Sequence, residues 1–227
     1  MGLAGAYFIG ILIAVVGGIV QARLRYKFKK YSKTPISSNL TGKEIAEMML
    51  RENNIFDVKV VSVRGRLTDH YNPSDKTVNL SEAVFNQSNA ASAAVAAHEC
   101  GHAVQHAKQY AWLQMRSKLV PAVQISSTLV QFVLIAGILL INRFPNLLLA
   151  GIFLFAVTTL FSFVTLPVEF DASKRALQWM RASKVVSAPE LDQSKDALKW
   201  AAMTYVVAAI GSLATLLYYA SIFMNRK

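Results

Sequence analysis

Ala97-His98-Glu99-Cys100-Gly101-His102 lies inside an alanine-rich run from Asn89 to Ala107. Ala loses least on forming a helix, so the run is predicted helical. One helical turn separates His98 from His102 and puts both imidazoles on a single face. Two imidazoles so placed can reach one metal ion. Glu99 stands beside them, where its carboxylate can touch a water on that ion.

The spacing H-E-x-x-H is the pattern of zinc metalloproteases. The blander reading is a pair of surface histidines. With 4 His in 227 residues, the pattern arises by chance in roughly one such chain in five hundred. Cys100 is the sole cysteine, which excludes an intrachain disulfide. Two residues beyond His98, it points to the other side of the helix and reads as a small buried filler rather than a ligand.

The chain is 54% hydrophobic with a mean hydropathy of +0.36 and a net charge of +11. That is too apolar for an ordinary soluble domain, so spans are sought first. Leu3 to Ala22 carries no charge and reads as an uncleaved transmembrane helix within 1–22. Arg23, Arg25, Lys27, Lys29, Lys30 and Lys33 follow it directly. Such a cluster next to a span anchors on anionic headgroups, and no nucleic-acid-binding motif surrounds it, so nucleic acid is not an expected partner. Further apolar runs give spans at 119–141, with Pro121 expected in its first turn, at 147–166 and at 200–224. Gln124, Ser126, Ser127, Thr128 and Gln131 in the second run are expected to face other helices or a cavity.

Between the first two spans, 23–118 reads as a small α+β domain. Thr41-Gly42-Lys43-Glu44 is a capping-box pattern that opens a helix with Ile45, Met48 and Met49 inward. Phe56 to Val63 reads as a strand. Leu67 to Tyr71 and Thr77 to Ser81 flank the turn Asn72-Pro73-Ser74-Asp75, so a small mixed sheet is expected. Segments 23–118 and 167–199 hold 15 and 6 Lys and Arg, against 3 elsewhere, namely Arg143, Arg226 and Lys227. The positive-inside rule puts both segments in the cytoplasm and both termini outside.

A catalytic zinc takes three protein ligands and leaves one position for water. His106 is a poor third ligand: on a straight helix it lies about 12 Å from His98 along the axis. Topology offers Glu169 in Leu166-Pro167-Val168-Glu169-Phe170-Asp171-Ala172-Ser173, at the cytoplasmic end of the third span. Asp171 is the alternative, and an ion pair of Glu169 with Lys174 or Arg175 is the structural one. A donor for the developing oxyanion would come from His70, Tyr71 or His106. Asp69-His70-Tyr71 reads equally as a polar cluster that fixes its turn. Thr77 to Ser81, with Val78, Asn79 and Leu80, is expected as an edge strand to which a peptide substrate adds.

Together, HECGHAVQH from His98 to His106, LTDHYNP with TVNLS upstream and LPVEFDAS after two spans resemble the YugP-like neutral zinc metallopeptidases, bacterial integral membrane proteins. The match runs over nearly the whole chain. LPVEFDAS is similar, more loosely, to a segment of the HtpX and Ste24 peptidases of the gluzincin group. The resemblance implies a mainly α, multi-pass bacterial inner-membrane protein: four transmembrane helices with a cytoplasmic zincin-like domain. It implies one zinc per chain on His98, His102 and Glu169, with Glu99 catalytic. Ser173 stands where the looser relatives carry an Asp that orients a zinc-bound His, which leaves Asp171 or Asp69 for that role. Expected partners are peptide or membrane-protein substrates and the bilayer, with a regulatory membrane partner or homo-oligomer left open. The competing class is a non-catalytic membrane scaffold with a structural metal.

Overall fold

The computed structural model describes residues 3–65 and 67–225 and, apart from residues 3–7 and 9, their side chains. Arg66, Arg226 and Lys227, which enter the charge asymmetry, lie outside the described residues, as do residues 1–2 of the first predicted span. The elements in chain order are α1 (Leu3–Tyr31), α2 (Gly42–Glu52), β1 (Lys59–Val63), β2 (His70–Asn72), β3 (Thr77–Ser81), α3 (Glu82–Phe85), α4 (Ala90–Ala107), α5 (Ala111–Leu139), α6 (Pro145–Ser183) and α7 (Ala188–Met224). The protein is mainly helical with one small sheet. It divides into a unit of Met1–Ile19, Met115–Leu166 and Thr204–Lys227 and a unit of Val20–Gln114 and Pro167–Met203.

The first unit turns its apolar side chains outward. Phe132 is 70% and Phe153 71% exposed, with Ile11, Ile125 and Ile210 also exposed. Soluble monomers rarely expose apolar surface on this scale. Among the described residues, three helices are long and apolar enough to cross a membrane: α5, α6 and α7. Between α5 and α6 the backbones approach closely, since a Cβ on Gly137 would come within 2.6 Å of Leu148 Cα. Such small-residue contacts are how apolar helices pack where burial from water supplies no drive.

Two details in α5 differ from the sequence reading. The helix begins at Ala111, so Pro121 lies in its interior and not in its first turn. The hydroxyls of Ser127 and Thr128 bond back to Gln124 O, 3.1 and 2.9 Å away, and both side chains are exposed. A hydroxyl that satisfies itself on its own helix needs no neighbouring helix or cavity. Ser126, in contrast, is buried.

The second unit is built around α4. Asn89 caps it, its Oδ1 accepting from Ser92 N at 2.9 Å. Ala90, Ala93, Ala94, Ala97, Cys100 and Val104 are all buried, because small side chains let neighbours close in on more than one face. Helix α2 packs on α4 through Ile45, Ala46, Met49 and Leu50, while Met48 is only partly buried. Its capping box is complete: Glu44 N donates to Thr41 Oγ1 and Thr41 N to Glu44 Oε2. Lys27 at the end of α1 pairs with Asp196 of α7 at 2.7 Å, so part of the basic cluster is spent inside the protein.

The sheet has the order β1-β3-β2, with β1 parallel and β2 antiparallel to β3. The expected strands and mixed pairing are present. The edge assignment is corrected: Val78, Asn79 and Leu80 sit in the central strand, flanked on both sides. Val78 and Leu80, which share one face of the strand, are fully buried. The edge beside α4 is β2.

Candidate metal centre

His98 and His102 project from one face of α4, their rings edge to face with centroids 4.8 Å apart. Glu169 reaches them from α6. Its Oε2 lies 3.4 Å from His98 Nε2 and 3.7 Å from His102 Nε2. Those separations exceed hydrogen-bond lengths. They match the spacing of about 3.3 Å between donors that share a tetrahedral zinc at bonds near 2.0–2.1 Å. The donor atoms of all three lie within 4.8 Å of one another. Glu169 is 3% exposed and His102 8%. Burying a carboxylate is costly unless a cation or hydrogen bonds compensate it. The three residues fit a zinc ion in chemistry, number and spacing.

Close packing of α4 on α6 brings Glu169 this near. Gly101, between the histidines, has no Cβ, and one built there would come within 2.6 Å of Ala172 O. Only glycine allows that approach.

Each imidazole has a partner on its far nitrogen. Ser173 Oγ lies 3.1 Å from His98 Nδ1. Gln105 Oε1 lies 3.1 Å from His102 Nδ1. Gln105 is fully buried, and its Nε2 donates to Val168 O and to Asp171 Oδ2, both at 2.8 Å. Those two acceptors fix the amide orientation, so Oε1 must face His102 and accept from Nδ1–H. The Nε2 lone pair of His102 is then free for a metal, and the Ser173 hydroxyl, which can accept as well as donate, is placed to take the Nδ1 proton of His98 in the tautomer that frees its Nε2. Burial alone would lower the His102 pKa, but the neighbouring Glu169 carboxylate outweighs it and raises the value.

This network corrects the expected orienting groups. Asp69 accepts from Ser81 N and Ser81 Oγ at 2.7 and 3.2 Å and serves the sheet instead. Asp171 reaches His102 only through Gln105, and Arg175 Nε holds its carboxylate at 2.5 Å. Gln105 was not anticipated as functional. Its signal was an uncharged amide one turn beyond His102, at the end of an alanine-rich stretch.

Glu99 is 8% exposed, and its Oε2 accepts from Tyr71 N on β2 at 3.1 Å. The Tyr71 hydroxyl meets His106 Nδ1 at 2.7 Å, with the rings tilted. Burial, aided by Asp57, pushes the Tyr71 phenol up to about 12, so it remains a donor at neutral pH. Glu99, Tyr71 and His106 are thus linked. His70 is not: it is exposed, and its Nδ1 lies 2.8 Å from Thr68 O in its own loop. Asn79 turns its amide onto Thr77. Cys100 is buried and unbridged, and burial raises its thiol well above the usual range, as suits a filler.

Helices able to cross a membrane, together with an H-E-x-x-H helix whose imidazoles meet a glutamate from a second helix, define a membrane-type protein with a metallopeptidase-like centre. The chain belongs to the family described as "Putative neutral zinc metallopeptidase", whose model matches residues 6–224. It is 41% identical over 222 residues to "Putative membrane protease YugP" of Bacillus subtilis (strain 168), covering 97% of this chain and 98% of that one. No solved structure matches it.

Proposed function

We propose that this protein is a membrane-embedded zinc endopeptidase that hydrolyses peptide bonds in membrane or membrane-proximal proteins. One observation carries the reading: a His98–His102–Glu169 donor set of zinc dimensions, with the Glu99 carboxylate from the same helix pinned by Tyr71 N. A purely structural ion needs no such neighbour.

Bound zinc supplies Lewis acidity and lowers the pKa of its water. Glu99 takes the proton of the attacking water and delivers it to the leaving amine. The Tyr71 N–H holds one Glu99 oxygen, which leaves the other to face the water. Tyr71 and His106 stand together as the donor pair for charge that develops on the substrate carbonyl oxygen.

Four spans, with Leu3–Ala22 as the first, put 23–118 and 167–199 in the cytoplasm and both termini outside. The Lys and Arg asymmetry of those segments supports this placement in a bacterial inner membrane.

Glu99→Gln keeps size and polarity but cannot accept the proton. Cleavage of an unfolded protein substrate by the purified variant should fall by about 10²–10⁴-fold, with zinc content unchanged. Cleavage at the wild-type rate with zinc bound would refute the mechanism.

A further inference from the structure

Helices α6 and α7 flank an open cavity of about 390 Å³ within the unit that carries the metal centre. On the α6 side it is lined by Phe170, Lys174, Leu177 and Arg181, which recur at helical spacing along one stripe. On the α7 side it is lined by Lys195, Leu198, Lys199 and Met203, again one stripe. Four cations therefore face it against one acid, Asp192. The neighbouring Asp196 offsets them only in part, because Lys27 and Tyr31 hold it while Lys199 also acts on it. Lys174, Arg181, Lys195 and Lys199 are all exposed and form no ion pair among the described residues.

The two ends of the cavity differ. Leu177, Leu191 and Leu198 lie among the charges over most of its length, but beyond Lys174 the α6 wall ends at Phe170, and beyond Lys199 the α7 wall ends at Ala202 and Met203, a change from mixed to apolar lining. In both directions the chain then enters an apolar run, Leu147–Leu166 on one side and Thr204–Met224 on the other. A ligand that matches this gradient has an anionic head and a hydrocarbon tail. We propose that the cavity is a binding site for an anionic phospholipid. The headgroup phosphate sits among Lys174, Lys195 and Lys199, and an acyl chain lies over Phe170, Leu198 and Met203. Basic pockets between helices at the cytoplasmic boundary hold anionic headgroups in this way. An excess of cations disfavours phosphatidylcholine, whose quaternary ammonium would add a further positive charge. Ser173, whose hydroxyl meets His98, forms part of the wall, so the lipid sits one side chain from the metal centre.

The proposal rests on α6 and α7 crossing the membrane, but it is read by lipid retention without any proteolysis, so its failure leaves the peptidase reading standing. The full chain is purified in detergent with matched phosphatidylglycerol and phosphatidylcholine and stripped stepwise in native mass spectrometry. Wild type should retain phosphatidylglycerol preferentially. Lys174→Gln, Lys195→Gln and Lys199→Gln should each weaken retention roughly fivefold. The exposed pair Lys59→Gln and Lys108→Gln, outside both the cavity and the basic cluster after the first span, should leave it unchanged. A phosphatidylglycerol carrying a photoreactive acyl chain should cross-link the wild type at Phe170, Leu198 or Met203. Equal retention of both lipids, loss from the control pair, cross-links elsewhere, or displacement by inorganic phosphate alone would each overturn the proposal.

Discussion

A metal site of three donors holds its ion only as well as the atoms behind them hold the rings. Here those atoms are the Gln105 amide and the Ser173 hydroxyl. Gln105→Ala should lower zinc affinity by about 10–100-fold, since it frees the His102 ring. Competition with a chelator measures this, and an unchanged affinity would place the orienting group elsewhere. Tyr71→Phe keeps the backbone N–H on Glu99 but deletes the hydroxyl against His106. Cleavage should fall by about 10²–10³-fold with zinc binding intact. Equal loss of zinc would make Tyr71 structural. Much of this site was legible in sequence: the histidine pair from its spacing, and Glu169 from the side of the bilayer it was expected to occupy. Gln105 was not legible, because its role depends on Val168 O and Asp171, 63 and 66 residues away. Asp69 misled because its type suited the role, while nothing in the sequence shows that its carboxylate turns to Ser81.

At the scale of elements, the site depends on how closely α4 lies on α6. Gly101→Ala puts a methyl group into the Ala172 carbonyl and must push the helices apart. Overpacking of this kind costs about 1–3 kcal/mol, and here it also draws Glu169 away from the imidazoles. Zinc affinity should therefore fall more than helix content, compared by chelator competition and circular dichroism. Helix α2, which supports α4 from another side, tests its own cap. Bonds from the Thr41 backbone and then its hydroxyl hold the Glu44 carboxyl below its usual range. A group lowered on folding stabilises the fold above its unfolded pKa and loses that contribution as pH falls through the folded value. The protection of α2 amides relative to Glu44→Ala should be full at neutral pH and fade on acidification below about pH 4. A deficit independent of pH would exclude the carboxylate as its source. The capping box was readable because it is local. Strand order was not: Thr77 to Ser81 alternates well enough for an edge, and only the return of β1 on its far side makes it central.

For the whole molecule, hydropathy runs and exposed Phe132 and Phe153 point the same way. Apolar length was readable directly from composition. The interior position of Pro121 was not, because α5 starts at Ala111, ahead of Arg116 and Lys118, whose charges interrupt the apolar run. Orientation remains the property with the largest consequence, because it decides which proteins can reach Glu99. The chain lends itself to a direct measurement. Its sole cysteine, Cys100, is buried with a raised thiol pKa, so a maleimide leaves it alone. Ser74 and Asn142 are both exposed, one in the turn between β2 and β3 and the other in the connection from α5 to α6. With the positive segments inside, a membrane-impermeant maleimide on intact cells should label Asn142→Cys and spare Ser74→Cys. Permeabilised cells should label both. The opposite pattern would place the metal centre outside the cell. Labelling of both in intact cells would mean that no bilayer separates the two loops, and the substrate class proposed from membrane proximity would fall with it.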